Sequence, residues 1–127
     1  MTWRWLNRQA LLAAHDEQLA EHGGATGVRD EGLFDSALAR PENLAAYGTP
    51  DVFALAAAYG FGLARNHPFV DGNKRVAAIA TETFLALNGM ALEVDDAAFV
   101  MTFLSLAAGE MDEDALADWL RRHGTPL

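Results

Sequence analysis

The 127-residue chain contains no cysteine, which excludes disulfide frameworks, thiolate metal sites and cysteine nucleophiles. Basic residues are scarce, 9 Lys and Arg against 18 Asp and Glu, giving a formal net charge of −9. A surface of that sign repels phosphodiester backbones, so direct nucleic-acid binding is not expected. No apolar run approaches the roughly 18 residues of a membrane-spanning helix. The 51% of hydrophobic residues is inflated by alanine, a helix former that lets helices pack closely. The opening MTWRWLNRQALLAAHDEQL turns charged within one turn of its apolar stretch and has no small-residue cleavage site. These absences favour a cytoplasmic protein with no membrane partner. With no repeat, low-complexity tract or long linker, the expectation is one domain over residues 1–127.

Helical spacing dominates what is present. A first helix is expected from about Trp5 to Glu21, stopped by Gly23 and Gly24. Asp30 caps a second, short helix that should end before Pro41. Thr49-Pro50-Asp51 reads as a helix start with Thr49 as capping hydroxyl. The helix that follows, to about Arg65, is apolar nearly all round and therefore central. A second greasy helix spans about Asn73 to Leu87, closed by Asn88-Gly89, and Met90 to Val94 is a short extended piece. Asp95 and Asp112 cap two more helices, the last ending near His123. The pattern predicts an all-α fold, a compact bundle of about six helices. His15, His22 and His123 read as exposed helix residues, and Trp3, Trp5 and Trp119 as packing residues.

Chemistry concentrates in His67-Pro68-Phe69-Val70-Asp71-Gly72-Asn73-Lys74-Arg75, between the two central helices. Free backbone N–H groups at Gly72, Asn73 and Lys74 would point from a helix N-terminus, an anion site before any side chain is counted. A helix start ordinarily disfavours cations by roughly 0.3–1 kcal/mol each, so Lys74 and Arg75 there make sense around a bound anion. Asp71 supplies one carboxylate, enough for Mg2+ completed by phosphate and water. His67 is the nearby group that exchanges protons near neutral pH. Taken singly, each has a structural reading: a packed histidine, a capping aspartate, a solvated basic pair, an asparagine that caps or binds phosphate. Together they are the parts of a nucleotide-dependent transferase. Phe69 reads as a wedge against the core, and Arg29-Asp30 as an ion pair plus a cap, or else an arginine turned toward the nucleotide.

The stretch from His67 to Arg75 resembles the signature of the Fic superfamily, and the chain resembles its short Doc branch, the death-on-curing toxins. Gly27-Val28-Arg29-Asp30, Ser36 to Pro41, Phe84-Leu85 and Leu87-Asn88-Gly89 are similar to flanking segments of such proteins. The resemblance implies His67 as general base on a target hydroxyl, Asp71 as Mg2+ ligand, and Gly72, Asn73, Lys74 and Arg75 as the cradle for ATP phosphates. AMP-transferring members usually carry Gly where this chain has Lys74 and a second Arg where it has Ala78. Doc-like members share the Lys and lack that Arg, which implies phosphoryl transfer to a Ser or Thr of a protein, and the resemblance to that branch suggests translation elongation factor Tu as the target. Pro68 and Gly72 match the wider Fic pattern and keep AMP transfer as the alternative.

No inhibitory Ser/Thr-x3-Glu helix is found. The resemblance then implies control by a second chain, an antitoxin whose disordered tail folds onto the bundle. Two further classes compete: a catalytically silent binding module, and a phosphohydrolase with His67 and Asp71 as metal ligands. The second is weakened by Pro68 and Gly72, which break the helix that a four-residue ligand spacing needs.

Overall fold

The computed structural model describes residues 2–127. These form six helices, α1 (Arg8–His22), α2 (Glu31–Tyr47), α3 (Val52–Asn66), α4 (Asn73–Leu87), α5 (Asp96–Ala107) and α6 (Glu113–His123). A two-stranded antiparallel ribbon joins β1 (Met90–Leu92) to β2 (Gly124–Pro126), with Ala91 opposite Thr125. The extended piece after α4 thus finds a partner at the far end of the chain, which local pattern does not reveal.

The apolar α3 is the centre of the bundle, packed against α2, α4, α5 and α6, with an unbroken buried run from Leu55 to Gly60. Small residues set its distance from its neighbours. A Cβ at Gly60 would lie 2.5 Å from Thr81 Oγ1 on α4, and one at Gly62 would lie 3.4 Å from the Ala37 Cβ on α2. Around this axis Phe34, Phe69, Phe84, Val76, Leu85, Leu106, Leu116 and Leu120 close the core. Ahead of α1, Trp5 stacks on Phe84 at 5.8 Å and the Leu6 N–H donates to the Tyr59 hydroxyl at 3.1 Å. Burial there pushes the Tyr59 phenol up to about 12.

Three boundaries differ from the expectation. α1 begins at Arg8 rather than Trp5, because the Asn7 side chain accepts from the Gln9 and Ala10 amides and caps it there. α3 is capped by Asp51, which accepts from the Ala54 N–H, and not by Thr49. The third is larger: α2 does not stop before Pro41 but runs through it to Tyr47. Proline costs a helix interior about 3 kcal/mol and leaves the i−4 carbonyl, here Ala37, without its N–H. Pro41 is buried, and Leu38 and Ala45 on either side pack on the core, so tertiary burial outweighs the local penalty.

Candidate active-site loop

The loop between α3 and α4 begins at His67, which ends α3 in the left-handed conformation with φ 48°. Among the described residues it is the one non-glycine residue with positive φ. Such backbone costs about 1–2 kcal/mol and persists only where surrounding contacts enforce it. Arg29 supplies them: its Nε donates to the His67 carbonyl at 2.8 Å and its Nη2 to the Asn66 carbonyl at 3.0 Å. Two of the open carbonyls at the end of α3 are thereby satisfied. Arg29 is therefore neither paired with Asp30 nor extended toward the cleft; it holds the base of the loop, while Asp30 caps α2 by accepting from the Leu33 N–H.

The loop is fastened on its other side by a short antiparallel bridge between Val28 and Phe69. The Pro68 carbonyl accepts from the Arg29 and Asp30 amides at 2.7 and 3.1 Å, and the Val70 N–H donates to the Gly27 carbonyl at 3.1 Å. Phe69 is 1% exposed and packs against Phe34, the wedge expected of it. Its own backbone groups turn to Asn73: the Phe69 N–H donates to Asn73 Oδ1 at 2.9 Å, and Asn73 Nδ2 donates to the Phe69 carbonyl at 3.0 Å. The Asn73 side chain is thus a staple inside the loop, occupied by backbone and neither capping α4 nor free for phosphate. Its amide orientation is fixed by Phe69, so the NH2 end faces His67 Nδ1, 3.4 Å away.

Asp71 does not cap the following helix. Its Oδ1 accepts from the adjacent Gly72 N–H at 2.9 Å, and Oδ2 lies where a Cβ on Gly24 would come within 2.8 Å. Gly24, with φ 126°, gives the carboxylate room that any side chain would remove. Gly72 itself is left-handed at φ 80° and brings no capping group, so α4 begins without a side-chain cap while α1, α2, α3, α5 and α6 all have one. The Gly72 amide, expected to be free, is taken by Asp71, and the amides that open from that end are those of Asn73, Lys74 and Arg75. Lys74 and Arg75 are exposed and take part in no ion pair among the described residues.

His67, Val70, Asp71, Gly72, Asn73, Lys74 and Arg75 line one open cleft of about 380 Å3. His67 and Lys74 also border a second of about 440 Å3, whose other wall is α5 and the turn after it, with Met101, Leu104, Ser105 and Glu110. The exposed imidazole therefore stands between an anion-seeking end, formed by α4, and an apolar shelf on α5. Among the described residues no three His, Asp or Glu side chains converge. A hard oxygen from Asp71 in a cleft that also presents open amides and cations fits Mg2+ carried in by phosphates, which needs one or two protein carboxylates.

One residue of this region departs from the sequence expectation altogether. His15 is 2% exposed, not a surface residue of α1; its ring stacks on Phe69 with centroids 3.9 Å apart and its Nε2 lies 2.7 Å from the Asp71 carbonyl oxygen. Leu11, His15 and Leu19, four residues apart, are the buried positions of α1. That stripe is the signal by which His15 could have been found. His22 is exposed and His123 is half-buried against Trp119.

Comparison with known proteins agrees with the geometry. The Fic/DOC family model matches residues 5–85, a span that contains α1 to α3, the loop and most of α4. The chain is 41% identical over 120 residues to Toxin Doc of Mycolicibacterium smegmatis, covering 89% of this chain and 88% of that protein. It is 32% identical over 120 residues to Protein kinase doc of Escherichia phage P1, covering 94% of each. A helical bundle whose loop carries His67 to Arg75, matched along most of its length by two Doc proteins, belongs to the Fic/Doc family.

Proposed function

We propose that this chain is a Doc-type toxin that transfers the terminal phosphoryl group of ATP to a Ser or Thr hydroxyl of a protein. The observation that carries the reading is the position of exposed His67 at the rim of a cleft that also presents Asp71, Lys74, Arg75 and the uncapped start of α4. The name Protein kinase doc, borne by the phage P1 relative, favours phosphoryl over AMP transfer.

In this reading the Asn73, Lys74 and Arg75 amides and the two cations hold the phosphates, and Arg75 grips oxygens with a planar fork. Asp71 would hold Mg2+, which when bound neutralises charge on the phosphate oxygens. His67 takes the hydroxyl proton as the new oxygen–phosphorus bond forms, and the bond to the bridging oxygen breaks to leave ADP. The Asn73 amide beside Nδ1 favours the tautomer with its proton on Nε2. The basic nitrogen of that tautomer is Nδ1, and taking up the hydroxyl proton at Nε2 requires the tautomers to exchange first. The apolar shelf of Met101 and Leu104 flanks the same imidazole and would meet the substrate chain.

The partners in this reading are a protein substrate, with elongation factor Tu as the first candidate, and an antitoxin whose disordered tail blocks the enzyme. A net charge of −9 suits a tail that carries basic residues. The test incubates the purified protein with lysate and ATP labelled at either the γ- or the α-phosphate. Protein-bound γ-label supports the reading; α-label replaces it with AMP transfer; no label from either, in a folded protein, leaves the silent binding module. Identification of the labelled band by mass spectrometry decides whether it is elongation factor Tu.

A further inference from the structure

His15 lies on α1, outside the loop that carries the proposed chemistry, and no step above uses it. The Asp71 carbonyl oxygen is an acceptor only, so the contact at 2.7 Å requires that His15 carry its proton on Nε2. That carbonyl belongs to the same peptide plane as the Gly72 N–H, which points the opposite way and donates to Asp71 Oδ1 at 2.9 Å. A hydrogen bond at one end of the plane thus fixes the direction of the other end, and with it the carboxylate. The ring is itself immobilised: it is 2% exposed, stacked on Phe69 at an interplanar angle of 16°, and so near Gly72 that a Cβ there would come within 3.5 Å of Cδ2 and Nε2.

We propose that His15 is a positioning residue: through the Asp71–Gly72 peptide plane it orients the Asp71 carboxylate and the first turn of α4. Its effect on the loop stands by itself; its effect on transfer rests on the function proposed above. The experiment separates the two. His15→Phe keeps a stacking ring and removes the donor, whereas His15→Gln restores an N–H at similar reach and removes the ring.

Three quantities are read in each purified variant: hydrogen exchange of the Gly72 amide, and kcat and KM for ATP in γ-label transfer. In His15→Phe, Gly72 exchange is expected to rise about tenfold, the equivalent of one hydrogen bond. Transfer should lose about tenfold in kcat/KM with KM for ATP raised, because Asp71 and the first turn of α4 are the parts that hold the ATP phosphates. His15→Gln should recover most of both losses. A His15→Phe protein with wild-type exchange and wild-type kcat/KM overturns the proposal, as does loss of both in His15→Gln to the same extent. Should His15→Phe fail to fold, His15→Gln against His15→Met gives the same comparison, equal reach with and without the donor. If the wild type transfers no label, the proposed function fails and the exchange measurement alone decides the role of His15.

Discussion

Asn73→Ala tests the architecture of the loop most sharply. The Phe69 N–H and carbonyl are both bound by the Asn73 side chain, at 2.9 and 3.0 Å, and the neighbouring bridge uses the Pro68 carbonyl and Val70 N–H instead. Nothing else is placed to replace them, since Phe69 is 1% and Asn73 8% exposed. Each buried backbone group left unpaired costs about 1–3 kcal/mol. Water entering beside exposed His67 and Val70 would relieve part of this, so about 2–3 kcal/mol is expected for the pair. Urea unfolding should show that loss as a lower midpoint with an unchanged slope. Amide exchange should show Phe69 as the residue that loses most protection. A change below about 0.5 kcal/mol, within the range of ordinary surface substitutions, with Phe69 still protected, would refute the assignment of Asn73 as the staple.

Other perturbations probe other levels. Gly60→Ala places a methyl 2.5 Å from Thr81 Oγ1, and overpacking of this kind costs about 1–3 kcal/mol; combining it with Thr81→Ala should be non-additive in thermal melts. Hydrogen bonding from Arg121 holds the Asp51 carboxyl below its usual 3.8. A depressed acid stabilises the fold above its unfolded value, so this contribution is complete above about pH 5 and fades as the pH falls through the lowered value. Both partners are well exposed, at 40% and 47%, which limits it to about 0.2–1 kcal/mol. Asp51→Asn, which keeps the α3 cap, should therefore be slightly less stable than wild type at pH 7, with the difference shrinking as the pH falls through the lowered value. Lys74→Ala or Arg75→Ala should weaken ATP binding by about ten- to a hundredfold, the range of a hydrogen bond to a charged group, with a shallower salt dependence by calorimetry.

What the sequence made legible is what short range controls. The start and end of α4 fall where Gly72-Asn73 and Asn88-Gly89 put them, and Asp30, Asp95 and Asp112 cap as their spacing says. The burial of α3 was readable because nearly every face is apolar. Pro41 misled because the burial that carries α2 past it comes from α3, about twenty residues further on. His15 misled for the same kind of reason: its reward is a carbonyl 56 positions away, although its register with Leu11 and Leu19 already set it on the inner face. Within the loop, sequence brought together His67, Asp71, Lys74 and Arg75 because they are neighbours. It left Asn73 open between two roles, because nothing local says that Phe69 would turn its backbone groups to that side chain.

In the proposed transfer the His67 imidazole accepts the proton of an incoming hydroxyl while the start of α4 holds the phosphates. That role is tested most directly by the single-turnover rate of γ-label transfer to the protein substrate in wild type and in His67→Ala, with circular dichroism and melting showing both folded. General-base catalysis contributes about 10²–10⁴-fold, so the variant should be slower by that factor while its ATP affinity stays within about threefold, since the α4 amides and cations are intact. A folded His67→Ala protein that transfers label at the wild-type rate would contradict the claim.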